Sequence, residues 1–497
     1  MKSQVDVLFV NPGNRFQVYQ DLGNEFCALE PPALAGLFAT YLRLKGYSVG
    51  IIDAPLDNLD SLSAARTVVE NYDPTLVVLT VYGFQPSAST QNMTSAGEIS
   101  RFIKELAPDI PTLMTGTHPA ALPRRTMEEE AVDFVCDREG PQTILGLVEA
   151  LKTASPNFAA IPSLWYRDGG EVRNTAPGDL LDNLDTEMPS IAWDLLPVQR
   201  YRAHNWHAFS NIHERSPYVS MHTSLGCPYK CSFCCINAPF GKPSYRLWDP
   251  DSVIKEIDLL VERYGVRHIK FVDEMFVLNK AHVLGICDRL IERNYDLNIW
   301  AYTRVDTIKD EFLDKLKRAG FNWLAVGIES ASSHVRDGAQ KRYRSDDIYA
   351  AVRKIQNAGI NVLGNFIFGL PDDTQESMQE TLDMAIELNC EFVNLYSAMA
   401  YPGSQLYTMA AEKGWALPEK WHYYSQHARD TRPLPTDYCS AAEVLEFRDR
   451  AFTTYFSGER YQAMIGQKFG PEVVEHVRRM VKIPLTRTLL GEAVSSR

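Results

Sequence analysis

The 497-residue chain is predicted to be an α/β protein in three parts: a doubly wound parallel sheet, a partial (β/α)6 barrel and a mainly α C-terminal region. Three observations predict this. Short apolar runs alternate with helical periodicities before residue 150, and do so again from Tyr218 onward. Between the two series, prolines and acidic residues interrupt the alternation, and after about residue 411 helical patterns replace it. Alternating strand and helix patterns imply parallel sheets with helices packed on their faces.

In the first series, Val5–Val10, Val49–Ile52, Leu76–Val81, Thr112–Met114 and Phe134–Cys136 read as buried strands. The clearest helix follows Pro31-Pro32. It carries Leu34, Leu37, Phe38, Tyr41 and Leu42 at i, i+3, i+4, i+7 and i+8, and Gly46 closes it. A second helix carries Met93, Ala96, Ile99, Phe102, Ile103 and Leu106. Ligands of doubly wound sheets bind beyond the carboxyl ends of the strands. Those ends are polar or glycine-rich: Asn11-Pro12-Gly13, Asp53, Tyr82-Gly83-Phe84, Gly116-Thr117-His118-Pro119 and Arg138-Glu139-Gly140. Together they point to a cofactor or nucleotide site.

From about 152 to 216, Trp165–Val172 reads as a hairpin turning on Gly169-Gly170. Pro177, Pro189 and Pro197 and the acidic stretch from Asp179 to Glu187 mark a linker. The second series has strand candidates at 218–223, 268–272, 298–302, 323–328, 361–368 and 392–397. Ile254, Ile257, Leu260 and Val261 mark one intervening helix, and Ile348, Val352 and Ile355 another. Six βα units fall short of the eight of a complete barrel, so an open barrel is expected. Helical patterns follow at Val444–Phe456 and Val473–Val481. The expected bounds are therefore 1–151, 152–216 (linker with hairpin), 217–410 and 411–497.

Composition narrows the class of partner. Lys+Arg is 50 against Asp+Glu 63, a net charge of −13, which gives no overall field to attract nucleic acid or an anionic membrane. No stretch approaches the roughly 20 apolar residues of a membrane span, so membrane insertion is not expected. The run Val5–Val10, broken by Asp6 and ended by Asn11-Pro12-Gly13, is too short for a signal-peptide core. Nine cysteines, an odd number, form no disulfide framework, and a reducing cytoplasmic setting is the expectation.

Three of these cysteines, Cys227, Cys231 and Cys234, form a C-x3-C-x2-C segment directly after the first strand of the second series. Barrel active sites lie at that end of the strands. A structural zinc would need a fourth ligand and usually shows paired C-x2-C knuckles, and no second pair exists. Three thiolates leave one iron of a [4Fe–4S] cluster open to chemistry. Cys235 reads as a small buried hydrophobe.

The cysteine spacing, with Phe233 just before the last cysteine, resembles the signature of the radical S-adenosylmethionine (SAM) superfamily. Strand-end motifs fit the same resemblance: Phe271–Phe276, Tyr302–Asp306, Gly327–Ser330, Gly364–Pro371 and Tyr401–Tyr407. A bound SAM needs anions for its ammonium, a cation for its carboxylate and acceptors for its ribose hydroxyls. Asp273 or Glu274, Arg304, and Glu329 with Ser330 would supply these, with Phe233 beside them.

A doubly wound domain ahead of such a barrel is similar to the cobalamin (B12)-binding radical SAM family. Pro31–Gly36, Gly116–Pro119, Val132–Cys136 and Pro189–Leu196 match its N-terminal and linker pattern, so the resemblance runs from residue 4 to about 455. It implies a Rossmann-like cobalamin-binding domain, with Asn11, Pro12, Tyr82, Gly83, Gly116, His118, Glu139 and Gly140 as candidate cobalamin contacts. No D-x-H-x-x-G sequence occurs, which leaves His118 with either an axial role or a loop or corrin-edge contact.

The resemblance implies a [4Fe–4S] cluster, SAM and cobalamin as cofactors and an external flavodoxin- or ferredoxin-like electron donor. The implied activity is methylation of an unactivated carbon in a small metabolite or natural-product intermediate, the expected work of a class B radical SAM methyltransferase. Three alternatives stay open: a non-methylating cobalamin-dependent radical reaction (oxidative cyclisation, ring contraction or another rearrangement), a barrel whose first domain binds no cobalamin, and a zinc-stabilised binding protein. His422, Tyr423 and Tyr424 are candidate substrate contacts or core residues of the C-terminal region.

Overall fold

A computed structural model describes residues 2–83, 85 and 87–491. Phe84, in the third strand-end turn, and residues 492–497, in the C-terminal region, lie outside the described residues. The first sheet holds β1 (Ser3–Asn11), β2 (Val49–Asp53), β3 (Tyr72–Val81), β4 (Thr112–Gly116), β5 (Phe134–Cys136), β6 (Leu164–Asp168) and β7 (Glu171–Asn174). Its order is β2-β1-β3-β4-β5-β6-β7, parallel as far as β5. The expected hairpin does form as β6 and β7, but β6 runs antiparallel to β5, so the hairpin extends this sheet instead of standing alone in a linker.

The apolar runs at 7–10 in β1 and 76–79 in β3 follow from burial on both faces. Val7, Phe9, Leu76 and Val78 face a core with Leu37, Phe38 and Leu42 of the helix Ala33–Leu44. Leu8, Val10, Val77 and Leu79 face a separate core with Met93, Ile99 and Ile103 of the helix Ala88–Leu106. Each fully buried aliphatic side chain contributes about 1.5–3 kcal/mol.

The barrel sheet holds β8 (Tyr218–Met221), β11 (His268–Phe271), β12 (Asn298–Arg304), β13 (Phe321–Glu329), β14 (Asn361–Phe368) and β15 (Phe392–Ser397), with a short pair β9 (Ser224–Leu225) and β10 (Arg246–Leu247) beside its first strand. All six barrel strands are parallel, in the order β15-β14-β13-β12-β11-β8, and β8 and β15 do not pair with each other. Helices follow at Ala441–Ser457, Glu459–Phe469 and Pro471–Val481. Among the described residues no helix is long and apolar enough to cross a membrane.

The first core continues into the barrel through Trp193, Tyr201 and Trp206. Buried ion pairs fix the two sheets further. Lys270 on β11 lies 3.2 Å from Glu30, with side chains 2% and 1% exposed, and His204 approaches the same carboxylate at 3.4 Å. Burial opposes the charge of Glu30, yet Lys270 and His204 hold its pKa below the usual carboxylate value. Arg246 on β10 grips Glu139 at 2.6 and 3.1 Å and donates to the Leu181 carbonyl.

Breaking one partner of a buried pair strands the other charge in a poorly polarisable interior. Lys270→Met is expected to lower unfolding stability by about 3–5 kcal/mol in denaturant titrations at pH 7. The double variant Glu30→Gln/Lys270→Met should recover more than half of that loss; an equal loss in both would remove the ion pair as the cause.

Candidate functional site

The segment that carries the three cysteines leaves the tip of β8 and is held at its root by a carboxylate. Asp273, at the tip of β11, accepts from the Thr223 N–H and O–H and from the Ser224 O–H, each at 2.6 Å. Ser224 and Leu225 then pair with Leu247 and Arg246. Gly226 turns the chain at φ +86°, and a Cβ there would meet the Ser244 carbonyl at 2.6 Å, so only glycine suits the position. The distal part is fixed by Ser232, whose N–H donates to Ala339 O at 3.4 Å and whose carbonyl accepts from the Leu406 N–H at 2.8 Å. All nine cysteines are free thiols.

Cys227, Cys231 and Cys234 line one cavity of about 420 Å³. Among the described residues, no three His, Cys, Asp or Glu side chains gather closely enough to hold a single metal ion. Three soft thiol donors on one cavity wall suit a cluster in which each takes a different iron.

Phe233, Glu274, Arg304 and Glu329 line the same cavity. Arg304 donates to Asp306 at 2.9 and 3.1 Å, to Cys231 Sγ at 3.6 Å, and stacks 3.9 Å from the Tyr229 ring centre. Burial works against its charge, but Asp306 outweighs burial and raises its pKa above the usual value. Burial pushes Glu274 up to about 8, with Lys270 partly opposing. Glu329 sits at φ +68°, where β13 and β14 slip register, a conformation that costs about 1–3 kcal/mol and is held by its surroundings. Its carboxylate pairs with buried Lys341.

Two of the expected SAM contacts stand behind this wall. Asp273 spends its acceptors on Thr223 and Ser224 and does not line the cavity. Ser330 shares a hydrogen bond with Thr381 at 3.2 Å, accepts from the Ser332 N–H, and is also absent from the wall.

Asn11, Pro12, Tyr82 and Gly83 line a smaller cavity of about 80 Å³ between the tips of the first sheet and Ser220, His222 and Val272 of the barrel. Tyr19, Cys27 and Gln91 line both cavities. The amides of Asn11, Gln91 and Asn92 along this edge suit the amide-rich rim of a corrin. Gly116, His118, Glu139 and Gly140 line neither cavity. His118 is 1% exposed, its Nδ1 lies 3.2 Å from Thr90 Oγ1, its ring meets Trp421 edge-on at 4.4 Å, and burial drives its pKa down to about 3. Glu139 is committed to Arg246. Tyr424 is 1% exposed and His422 bonds Thr94 at 3.1 Å; neither lines the cavities, nor does Tyr423.

Sequence reasoning missed Lys341, Arg448 and His427, which line the larger cavity. Lys341 lies 12 residues beyond Glu329 in a turn with no periodic signal. Arg448 resembles any helix arginine until the helix Ala441–Ser457 is docked on β15.

Comparison with known proteins agrees with this geometry. Residues 221–385 match the radical SAM superfamily, and residues 28–148 match the B12 binding domain. An uncharacterized methyltransferase of Pyrococcus horikoshii is 30% identical over 396 residues, 80% of this chain and 82% of that protein. The anaerobic magnesium-protoporphyrin IX monomethyl ester cyclase of Rubrivivax gelatinosus is 28% identical over 82% of this chain and 70% of its own. The structure of the radical SAM methyltransferase TsrM from Kitasatospora setae, with cobalamin and [4Fe–4S] cluster bound, superposes with a TM-score of 0.68 at 18% identity, over 97% of this chain and 100% of that one.

Asp273→Asn would face the Thr223 N–H with a donor or leave one hydroxyl unpaired, a cost of about 1–3 kcal/mol at the root of the loop. The expected result is less iron per chain than wild type after anaerobic reconstitution, although Asp273 touches no thiol. Wild-type iron content would show that the loop holds its shape without this carboxylate.

Proposed function

Because the chain belongs to the cobalamin-binding radical SAM family, we propose that it is an enzyme that methylates an unactivated carbon of a small metabolite or natural-product intermediate. The observation that carries this reading is the single cavity onto which Cys227, Cys231 and Cys234 open together with Gln85, Ser87 and Gln91 from the edge of the B12 binding domain. When bound, the [4Fe–4S] cluster, SAM and cobalamin supply one-electron SAM cleavage, hydrogen abstraction and the carried methyl group.

The chain's own residues bind, orient and exclude water. Cys227, Cys231 and Cys234 are the cluster ligands. Glu274, on the cavity wall without an ion-pair partner among the described residues, takes the ammonium of SAM. Arg304, braced by Asp306, faces its carboxylate, and Glu329, braced by Lys341, accepts from the ribose hydroxyls. Asp273 and Ser330 support these groups from behind. Asn11, Pro12, Tyr82 and Gly83 meet the corrin periphery, while Gly116, His118, Glu139 and Gly140 shape the edge that presents them. Phe233, Tyr302 and Tyr396 keep the walls apolar, which strengthens each polar contact inside. The parts assigned to these tasks are 1–151 for cobalamin, 217–410 for the cluster and SAM, and 411–497 for closing the substrate side, joined by 152–216. Three reduced thiols suit a cytoplasmic setting, with a flavodoxin- or ferredoxin-like donor supplying the electron.

A second reading, oxidative cyclisation without methyl transfer, is favoured by the cyclase of Rubrivivax gelatinosus among the relatives. Anaerobic reconstitution with iron, sulfide and cobalamin, followed by product analysis with isotope-labelled methyl-SAM, separates the two. Label in the product supports methylation; turnover without label assigns the second reading. Cys231→Ala is expected to abolish the cluster absorbance and SAM cleavage while keeping corrin binding within about twofold of wild type. Reductive SAM cleavage by that variant would overturn the ligand assignment.

A further inference from the structure

The larger cavity has Lys270, Arg304, Lys341 and Arg448 on its wall, and the first three each have a carboxylate beside them. Lys270 pairs with Glu30, Arg304 with Asp306 and Lys341 with Glu329. The fourth, Arg448, differs. Its Nη1 donates to Asp449 Oδ1 at 2.8 Å and its Nε to the Leu395 carbonyl at 2.7 Å. The same Asp449 also accepts two hydrogen bonds from Arg487, at 2.8 and 2.9 Å. Two guanidiniums with side chains 4% and 2% exposed therefore share one carboxylate, and Asp449 is the carboxylate whose field acts on Arg448. Among the described residues, one positive charge is left over on the wall beside β15. A buried charge without a partner is costly, and a ligand that brings the opposite charge removes that cost.

A second observation points to the same corner. His427, on the same cavity wall, has its buried Nδ1 without a hydrogen-bond partner, although its carbonyl accepts from Gln20 at 2.7 Å. Tyr396, Gln426 and Ser425 surround the pair as wall residues, and Phe452 and Leu395 supply apolar surface. Gln426 is not free to answer the charge, since its amide is bonded to Ser397 through both ends at 2.9 Å.

We infer that Arg448 and His427 form an anion-binding corner for the substrate, so that the molecule to be modified carries a carboxylate or phosphate attached to a largely apolar body. Arg448 offers a charge-assisted donor, and His427 an Nδ1–H in the tautomer that carries its proton there; the anion would be the counter-charge that the 2:1 arrangement with Asp449 lacks. The corner is a specificity-determining element, and it rests on the reading of this cavity as the place of reaction. Glu274 is assigned to SAM, so the wall offers one acid to the cofactor and, at Arg448, a guanidinium that shares its carboxylate with Arg487 to the substrate.

Equilibrium dialysis of the reconstituted holoenzyme with SAM present tests this with two probes that share one ring system. These are 1-anilinonaphthalene-8-sulfonate, an anion, and N-phenyl-1-naphthylamine, its neutral parent. Wild type should bind the anion at least about tenfold more tightly than the neutral probe, as one charge-assisted hydrogen bond provides. Arg448→Gln should abolish that preference while changing neutral-probe and SAM affinity by less than about twofold, and Arg448→Lys should keep most of the preference. His427→Leu, which leaves both guanidiniums and Asp449 in place, should weaken the anion about threefold. An unchanged preference in both Arg448→Gln and His427→Leu overturns the inference, as does loss of SAM affinity in Arg448→Gln with the preference retained, since the anion would then be that of SAM. If wild type cleaves no SAM, the proposed function fails, and the probe preference reports on the corner by itself.

Discussion

The carboxylate of Asp273 is the contact on which the cysteine loop depends. It lies at the tip of β11 and satisfies three donors of the chain leaving β8, so two neighbouring barrel strands and the root of the loop become one rigid unit. A buried carboxylate is stable only when its acceptors are filled. Filling them with Thr223 and Ser224 fixes the direction in which Gly226 launches Cys227. The far end of the loop is stitched to Ala339 and Leu406, so two well-separated positions of the later barrel also hold it. The three thiols thus sit on a loop fixed at both ends, which limits the reorganisation needed when metal binds.

Charge pairing on the cavity wall shows how a single chamber can present several different polar groups without mutual interference. Arg304 and Lys341 each have a carboxylate of their own close by, so their positions are set before any ligand arrives. Preorganised charges of this kind act strongly in a site with little water. The two sheets that form the chamber are held by the same device, through Glu30 with Lys270 and Glu139 with Arg246. Both interdomain acids come from loops of the first domain, and both bases from strands of the barrel region.

Much of the fold was readable because strands buried on both faces carry short apolar runs, 7–10 in β1 and 76–79 in β3, that the local pattern identifies. The hairpin was readable as a hairpin, but its pairing with β5 was not, because register against a distant strand leaves no local trace. The same division applies to the site. Cysteine spacing and strand-tip acids are local, so the sequence points to Cys227, Cys231, Cys234, Glu274 and Glu329, which the structure brings to one cavity wall. The choice between Asp273 and Glu274 depends on which carboxylate the Thr223 segment captures, and the sequence offers no sign of it. Lys341 and Arg448 come from a turn and a helix whose docking brings them to the wall, and His118 is enclosed by Trp421 from more than 300 residues away.

The barrel has six strands, and its open flank beside β15 is walled by segments far apart in the chain: Tyr19, Leu22 and Phe26 from one side, Ser425 to His427 and Met480 from the other. Gln20 links them, donating to the His427 carbonyl and accepting from the Thr486 N–H. Those two hydrogen bonds join residues 407 and 466 positions apart in sequence, so this side of the chamber is a long-range seam that the barrel alone does not supply.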